Sequence, residues 1–234
     1  MSGNKMKFED ILFSQGFGTR YDCRAIILSG AISIAGTVVD NPDARIDTEG
    51  LVFTYREEDW PYFEKAIIAL NKPAGYECSM KPSCHPSVMT LLPSPLRKRN
   101  MQPVGRLDVD TTGLLLFTDD GALQHRLIHP KRHVEKVYVV TTKHPISRDM
   151  CNRLLQGVIL DDCPKPVKAK AVVQLDEYHL TMTLTEGKYH QVKRMIAACS
   201  NRVEQLHRST FGKYCLSTSL PEGQWVWLRK RDIL

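Results

Sequence analysis

The spacing of apolar and polar positions predicts a small helical module followed by a strand-rich domain. Residues 7–15 carry Phe8, Ile11 and Leu12 on one helical face, and Gly16 and Gly18 end that helix. Thr19 is suited to cap a second helix over 20–28, which buries Cys23, Ile26 and Ile27. Ile32-Ser33-Ile34 alternates, Ala35-Gly36 turns and Val38-Val39 returns, the pattern of a short hairpin. Residues 51–62 read as a closing strand and then a linker, with Pro61 as punctuation. Further strands are predicted at 66–70, 114–118, 136–142, 171–176, 179–185, 203–210 and 225–228. Helices intrude singly, over 122–128, about 149–156, and from near Tyr189 to about Ser200. This order implies an α+β domain with a mixed, largely antiparallel sheet, lacking the strict alternation of a doubly wound fold. No repeat, low-complexity tract or glycine-rich phosphate loop interrupts it.

Charge adds a partner class. Residues 1–50 hold five Lys or Arg against seven Asp or Glu, whereas residues 51–234 hold 27 against 19. The excess gathers in Arg97-Lys98-Arg99, Lys131-Arg132, Lys165 to Lys170, Lys193-Arg194 and Arg229-Lys230-Arg231. A basic surface of this kind invites a polyanion, most commonly nucleic acid. No apolar run is long enough to span a membrane, and the N-terminal residues are not followed by a signal-type hydrophobic core. The seven cysteines are scattered and form no Cys-x-x-Cys pair, which suits reduced thiols in the cytoplasm. Cys78, Cys84 and His85 lie close together, but no second ligand pair follows, so no metal site is expected there.

One stretch carries candidate chemistry. Gly105-Arg106-Leu107-Asp108-Val109-Asp110-Thr111-Thr112-Gly113 sets an Arg and an Asp two residues apart, just before the apolar run Leu114–Phe117. A carboxylate at the lip of a buried strand is held by the scaffold yet faces a cleft, a common setting for nucleophiles and general bases. Taken alone, Asp108 is equally well a loop aspartate that closes a turn. Three more segments bear on it. Glu135-Lys136-Val137-Tyr138 puts a phenol in a strand, and Glu186 to Met195 puts a cationic cluster where a strand turns into a helix. Lys193 and Arg194 diverge by about 100° on that helix, so one of them faces inward. Leu206 is out of phase with its polar neighbours and faces a cleft or core. Read singly, Tyr138 and Leu206 are core residues and Lys193 is a solvated helix position.

Together these segments resemble the pseudouridine synthases, in the branch that modifies ribosomal RNA and carries an N-terminal S4 domain. The resemblance runs from about residue 6 to about 228. It covers Leu70-Asn71-Lys72-Pro73-Ala74-Gly75-Tyr76, the Gly-Arg-Leu-Asp stretch, Lys136-Val137-Tyr138, Gly187-Lys188-Tyr189-His190-Gln191-Val192-Lys193-Arg194-Met195 and Leu206-His207-Arg208. It divides the chain into an S4-like RNA-binding domain with its linker over 1–58 and a catalytic domain over 59–234. Arg20 and Arg24, at the start of the second helix, would then grip RNA. Two features depart from the S4 pattern: Met6-Lys7-Phe8 replaces the usual opening Arg-Leu-Asp, and the module is acidic overall.

The resemblance also implies roles. Asp108 is the carboxylate that serves the reaction, whether by attack on C1′, addition to C6 or removal of the C2′ proton. Lys193 pairs with it, Tyr138 stacks on the uracil, Leu206 closes the pocket, and Arg106 props open the RNA or anchors the Asp108 loop. No metal and no cofactor are expected, since the isomerisation needs neither redox chemistry nor phosphate activation. The short linker and compact length resemble members acting on 16S rRNA in the small subunit, with 23S rRNA as the alternative substrate. A monomer is expected. Two rival readings are a non-catalytic S4-type assembly factor and a metal enzyme using Asp108 and Asp110 as a paired ligand set.

Overall fold

The computed structural model describes residues 4–234, which divide into two compact units. One comprises the chain up to Ala66 together with Leu92–Met101; the other comprises Ile67–Leu91 and Gln102–Leu234.

In the first unit the helices Phe8–Ser14 and Arg20–Leu28 form as the periodicity predicts. Thr19 caps the second in a reciprocal capping box with Asp22, so two otherwise unpaired backbone donors are satisfied. Cys23 and Ile27 are fully buried, but Ile26 is only half-buried, because the apolar stripe of this helix is narrower than expected. A four-stranded sheet follows in the spatial order Thr37–Val38, Ile32–Ile34, Val52–Tyr55, Glu58–Pro61. Residues 58–61, expected as linker, are therefore a strand. Arg56 and Glu57 both adopt positive φ and make the tight turn between the two strands, a turn without the usual Asn or Gly signature. Phe17 packs edge-on against Phe53, Tyr55 and Trp60 at centroid distances of 5.4, 5.4 and 5.2 Å. The Leu92–Met101 segment joins this core through Arg99, which is buried and donates to Gln15 Oε1 at 2.5 Å and to the Phe63 carbonyl at 2.8 Å.

The second unit is built on one mixed sheet. Its spatial order is Ala171–Gln174, His179–Leu184, Lys136–Thr142, Val203–Phe211, Thr112–Thr118, Ile67–Lys72, Trp225–Leu228. All neighbours along this path are antiparallel except one: Val203–Phe211 runs parallel to Thr112–Thr118 through His207 opposite Thr112 and Arg208 opposite Gly113. The α+β class and the largely antiparallel sheet expected from the sequence are both present. Ile67–Lys72 and Gly113–Thr118 are buried without a break, as continuous apolar runs in the middle of a sheet should be. Lys136–Thr142 and His179–Leu184 alternate instead, one face inward and one outward. The helix Gly121–Ile128 is capped by Asp120, whose Oδ1 accepts from the Leu123 amide at 2.9 Å, and it lays Leu123 and Leu127 on Ile67, Ala69, Leu114 and Leu116. A hairpin of Val158–Leu160 and Cys163–Val167 had no counterpart in the sequence reading. Pro164 and Pro166 mask its strand pattern and are tolerated because this ribbon has only two strands.

Candidate active site

The Gly105–Thr111 loop is fixed from below. Lys72, at the end of its strand, is fully buried, and its ammonium donates to the carbonyls of Pro73, Asp108, Val109 and Thr111 at 3.1, 3.1, 3.2 and 2.8 Å. The Gly75 amide donates to the Val109 carbonyl at 2.8 Å, and the Thr111 amide turns back onto the Asp108 carbonyl at 3.1 Å. Burial depresses the Lys72 pKa, but the four carbonyls stand in for water around its charge. Gly113 then begins the buried part of the strand with φ +97°, and a Cβ there would collide with the Arg208 backbone. Glycine is required for this close approach. It brings the Asp108 loop against the strand that carries Leu206 and Arg208.

Between these elements lies a cleft of about 380 Å³. Tyr138 and Lys136 line its floor from one strand, and Leu206, Arg208 and Phe211 from the neighbouring strand, with Tyr138 directly opposite Arg208. Asp108, Arg106 and Leu107 form one wall; Glu186 to Val192 form another. That second wall is held by Gln191, which accepts from the Lys188 amide at 2.8 Å and donates to Glu186 at 3.3 Å. His190 enters the Gln191–Ala198 helix with φ +46° and stacks on Tyr189 at a 3.8 Å centroid distance.

The Asp108 carboxylate meets one cation and one imidazole. Its Oδ1 is 3.2 Å from His190 Nε2, and its Oδ2 is 3.3 Å from Lys193 Nζ. Lys193 bonds more closely to Asp110, at 2.6 and 2.8 Å to its two oxygens. Burial opposes the Lys193 charge, but the hydrogen bond to Asp110 and the charges of Asp108 and Asp110 outweigh it, so its pKa lies above the ordinary lysine value. Asp110 is held below the usual carboxylate range: its partial burial works the other way, and the Lys193 contact prevails. The ammonium thus occupies the space between the two carboxylates that a shared metal would need. Among the described residues, no three His, Cys, Asp or Glu side chains gather as a metal site. Arg194 turns away to pair with Asp162, so Lys193 is the inward-facing member of the pair.

Of the residues singled out in the sequence, Arg106, Asp108, Tyr138 and Leu206 line this one cleft, and Lys193 reaches it through Asp108. Arg20 and Arg24 belong to the first unit, where Arg20 pairs with Asp10 and Arg24 with Glu9 and Asp43. His190, Lys136 and Arg208 stand within the same motifs, and the sequence assigns them no role. Only His190 carries a local signal, one helical turn before the inward Lys193; Lys136 and Arg208 sit in strands whose pattern does not mark them. Lys136 is buried, which with the nearby Arg208 charge pushes its pKa down to about 8.

The sequence profile described as RNA pseudouridylate synthase matches residues 66–198, more than half of the chain. A ribosomal small subunit pseudouridine synthase A from Haemophilus influenzae is 37% identical over 92% of this chain and 92% of its own length. An uncharacterized RNA pseudouridine synthase from Bacillus subtilis is 35% identical over 97% of each chain. A crystal structure of a pseudouridylate synthase superposes with a TM-score of 0.69 at 34% identity, covering 97% of this chain and 98% of that one. Profile, full-length relatives and fold agree, and the chain belongs to the RNA pseudouridylate synthase family, enzymes that convert uridine in RNA to pseudouridine.

Proposed function

We propose that the chain isomerises one uridine of 16S rRNA, within a small-subunit assembly intermediate, as a cytoplasmic monomer that uses neither metal nor cofactor. The observation that carries this reading is the Asp108 carboxylate, set between His190 at 3.2 Å and Lys193 at 3.3 Å at the mouth of a base-sized cleft. The choice of 16S rRNA follows the name of the Haemophilus relative.

The reaction moves C1′ of the ribose from N1 to C5 of the same uracil, and the proton lost from C5 ends on N1, so nothing is consumed. Asp108 acts on the ribose or the base while Lys193 and His190 hold its two oxygens in place. Tyr138 stacks on the uracil, and Leu206 covers its other face. Arg106 is exposed at the rim and engages the RNA beside the extruded nucleotide. Extrusion costs a few kcal/mol of stacking, which phosphate contacts along the basic surface offset.

Residues 1–58 serve as an S4-like RNA-binding module with its linker, and 59–234 as the catalytic domain. Arg20 and Arg24 bind RNA phosphates after exchanging their acidic partners Asp10, Glu9 and Asp43. The test is to incubate the protein with precursor 16S rRNA, free or bound to ribosomal proteins, and with 23S rRNA in parallel. Pseudouridine is mapped by carbodiimide-stop primer extension. One new stop in 16S is expected; a stop only in 23S reassigns the substrate, and none in either rejects the reading.

A further inference from the structure

Two cations lie under the cleft, and neither is held in an ion pair among the described residues. Arg208 is 2% exposed and Lys136 is 9% exposed, and both line the cleft floor. Arg208 Nε donates to the Leu114 carbonyl at 2.8 Å, but its Nη2 is buried with no hydrogen-bond partner among the described residues. Lys136 Nζ uses one donor on the Val134 carbonyl at 2.8 Å. Both cations also lean on the Phe211 ring, 5.2 and 5.3 Å from its centroid. Glu186 on the wall, whose charge acts on Lys136 but forms no ion pair with it, is engaged by Lys188 at 3.5 Å and Gln191 at 3.3 Å.

Burying like charges side by side, one of them with an idle donor, is costly for folding. A hydrophobic residue would pack this floor better. The arrangement makes sense when a ligand completes it, and the ligand must bring oxygen acceptors to the bottom of the cleft.

We propose that Arg208 and Lys136 bind the carbonyl oxygens of the target uracil and stabilise the negative charge that the base takes on when its N1–C1′ bond breaks. This rests on the isomerase reading of the same cleft and names what the floor recognises. When that bond breaks, its electron pair leaves with the base and spreads from N1 onto the carbonyl oxygens. The charge is neutralised once C5 bonds to C1′ and the C5 proton passes to N1. Fixed cations in a dry floor stabilise such a transient charge more than they stabilise the neutral uridine, which is the condition for raising the rate. The floor suits a base edge better than a phosphate: it is buried, whereas the exposed Arg106 and Lys188 stand at the rim where a backbone phosphate remains hydrated.

The experiment compares wild type with Arg208→Gln, Arg208→Lys and Lys136→Met on the mapped RNA. It measures the single-turnover rate at saturating enzyme, RNA affinity against salt, and thermal melting. Loss of about 100-fold or more in rate for Arg208→Gln and Lys136→Met, with RNA affinity nearly unchanged, is expected. Arg208→Lys, which keeps the charge, recovers part of the rate and guards against a folding artefact. A second arm substitutes 2-thiouridine or 4-thiouridine at the target, since sulfur is a poor acceptor. One thio substitution slows wild type, and the matching variant loses that discrimination. Unchanged single-turnover rates, or lost affinity with a shallower salt dependence, overturn the proposal, the latter outcome marking a phosphate site. If wild type forms no pseudouridine in any RNA, the isomerase reading itself fails.

Discussion

Lys193 binds Asp110 more closely than Asp108: its ammonium lies 2.6 Å from an Asp110 oxygen and 3.3 Å from the nearer Asp108 oxygen. Asp110 is 72% exposed at its side chain, whereas Asp108 is 27% exposed and faces the cleft. One cation therefore ties a solvated carboxylate to the one that lines the cleft. Asp110 holds Lys193 and does not itself line the cleft.

This asymmetry separates three variants. Asp108→Asn is expected to abolish conversion and leave RNA binding largely intact, because the positive charge that would hold phosphates lies outside Asp108. Lys193→Met lowers the single-turnover rate by about 100-fold, the usual cost of losing a charge that orients or stabilises a reacting group. Asp110→Asn costs about tenfold or less, since Lys193 still has Asp108. Full turnover by Asp108→Asn in a tritium-release assay refutes the catalytic assignment.

Lys72→Met tests the support of the Asp108 loop. The variant strands four carbonyls that shared one ammonium, and about 3 kcal/mol of stability is lost. Urea titration measures that loss, and the rate falls with it because the Asp108 turn loosens. A variant as stable and as active as wild type shows that the loop holds itself.

Gly113→Ala strikes the parallel junction between the Asp108 loop strand and the Leu206 strand. Alanine at φ +97° with its Cβ against the Arg208 backbone destabilises the protein by more than about 2 kcal/mol. The same change at Gly36, where nothing lies within 4 Å of a Cβ, should meet only the backbone strain of φ +79°. Thermal melts of the two variants make the comparison.

Lys136 sets a pH dependence of stability. Its folded pKa of about 8 lies below the ordinary 10.5, chiefly through burial. Between those values the unfolded chain binds more protons than the folded one, so this group makes stability rise as pH increases through that window. The span corresponds to roughly 3 kcal/mol. Lys136→Met removes the penalty: it is expected to melt higher than wild type at pH 7 and to lose the rise. Denaturant unfolding at pH 7, 8, 9 and 10 reads both effects, and a flat wild-type profile contradicts them.

Arg20→Ala with Arg24→Ala tests the N-terminal module. Affinity for long rRNA fragments falls, and the slope of log K against log salt becomes shallower by about one to two. Conversion of a short saturating hairpin is unchanged. Unaltered affinity and slope assign this module a role other than RNA binding.

Sequence alone determined most of the elements and the candidate carboxylate at the cleft. Periodicity is a local property, so the strands at 136–142, 179–185 and 225–228 and the helix at 20–28 were readable from side-chain alternation and a cap at Thr19. The Gly-Arg-Leu-Asp stretch singled out Asp108 through the family resemblance, since a lone aspartate before a buried strand reads equally well as a turn residue. The 58–61 strand and the 158–167 hairpin escaped this reading, one behind an atypical turn and the other behind two prolines.

Only the tertiary structure decided which charges meet. Lys72 and Asp108 are 36 residues apart and Lys193 and Asp110 are 83 apart, and the pairing of strands and helix brings them together. Lys136 and Arg208 read as unremarkable basic residues until the register puts Tyr138 opposite Arg208 and turns both cations under the cleft. The physical reason is desolvation. Whether a cation is a solvated surface group or a buried, unmatched charge depends on neighbours contributed by distant segments, and no local pattern in the chain records that.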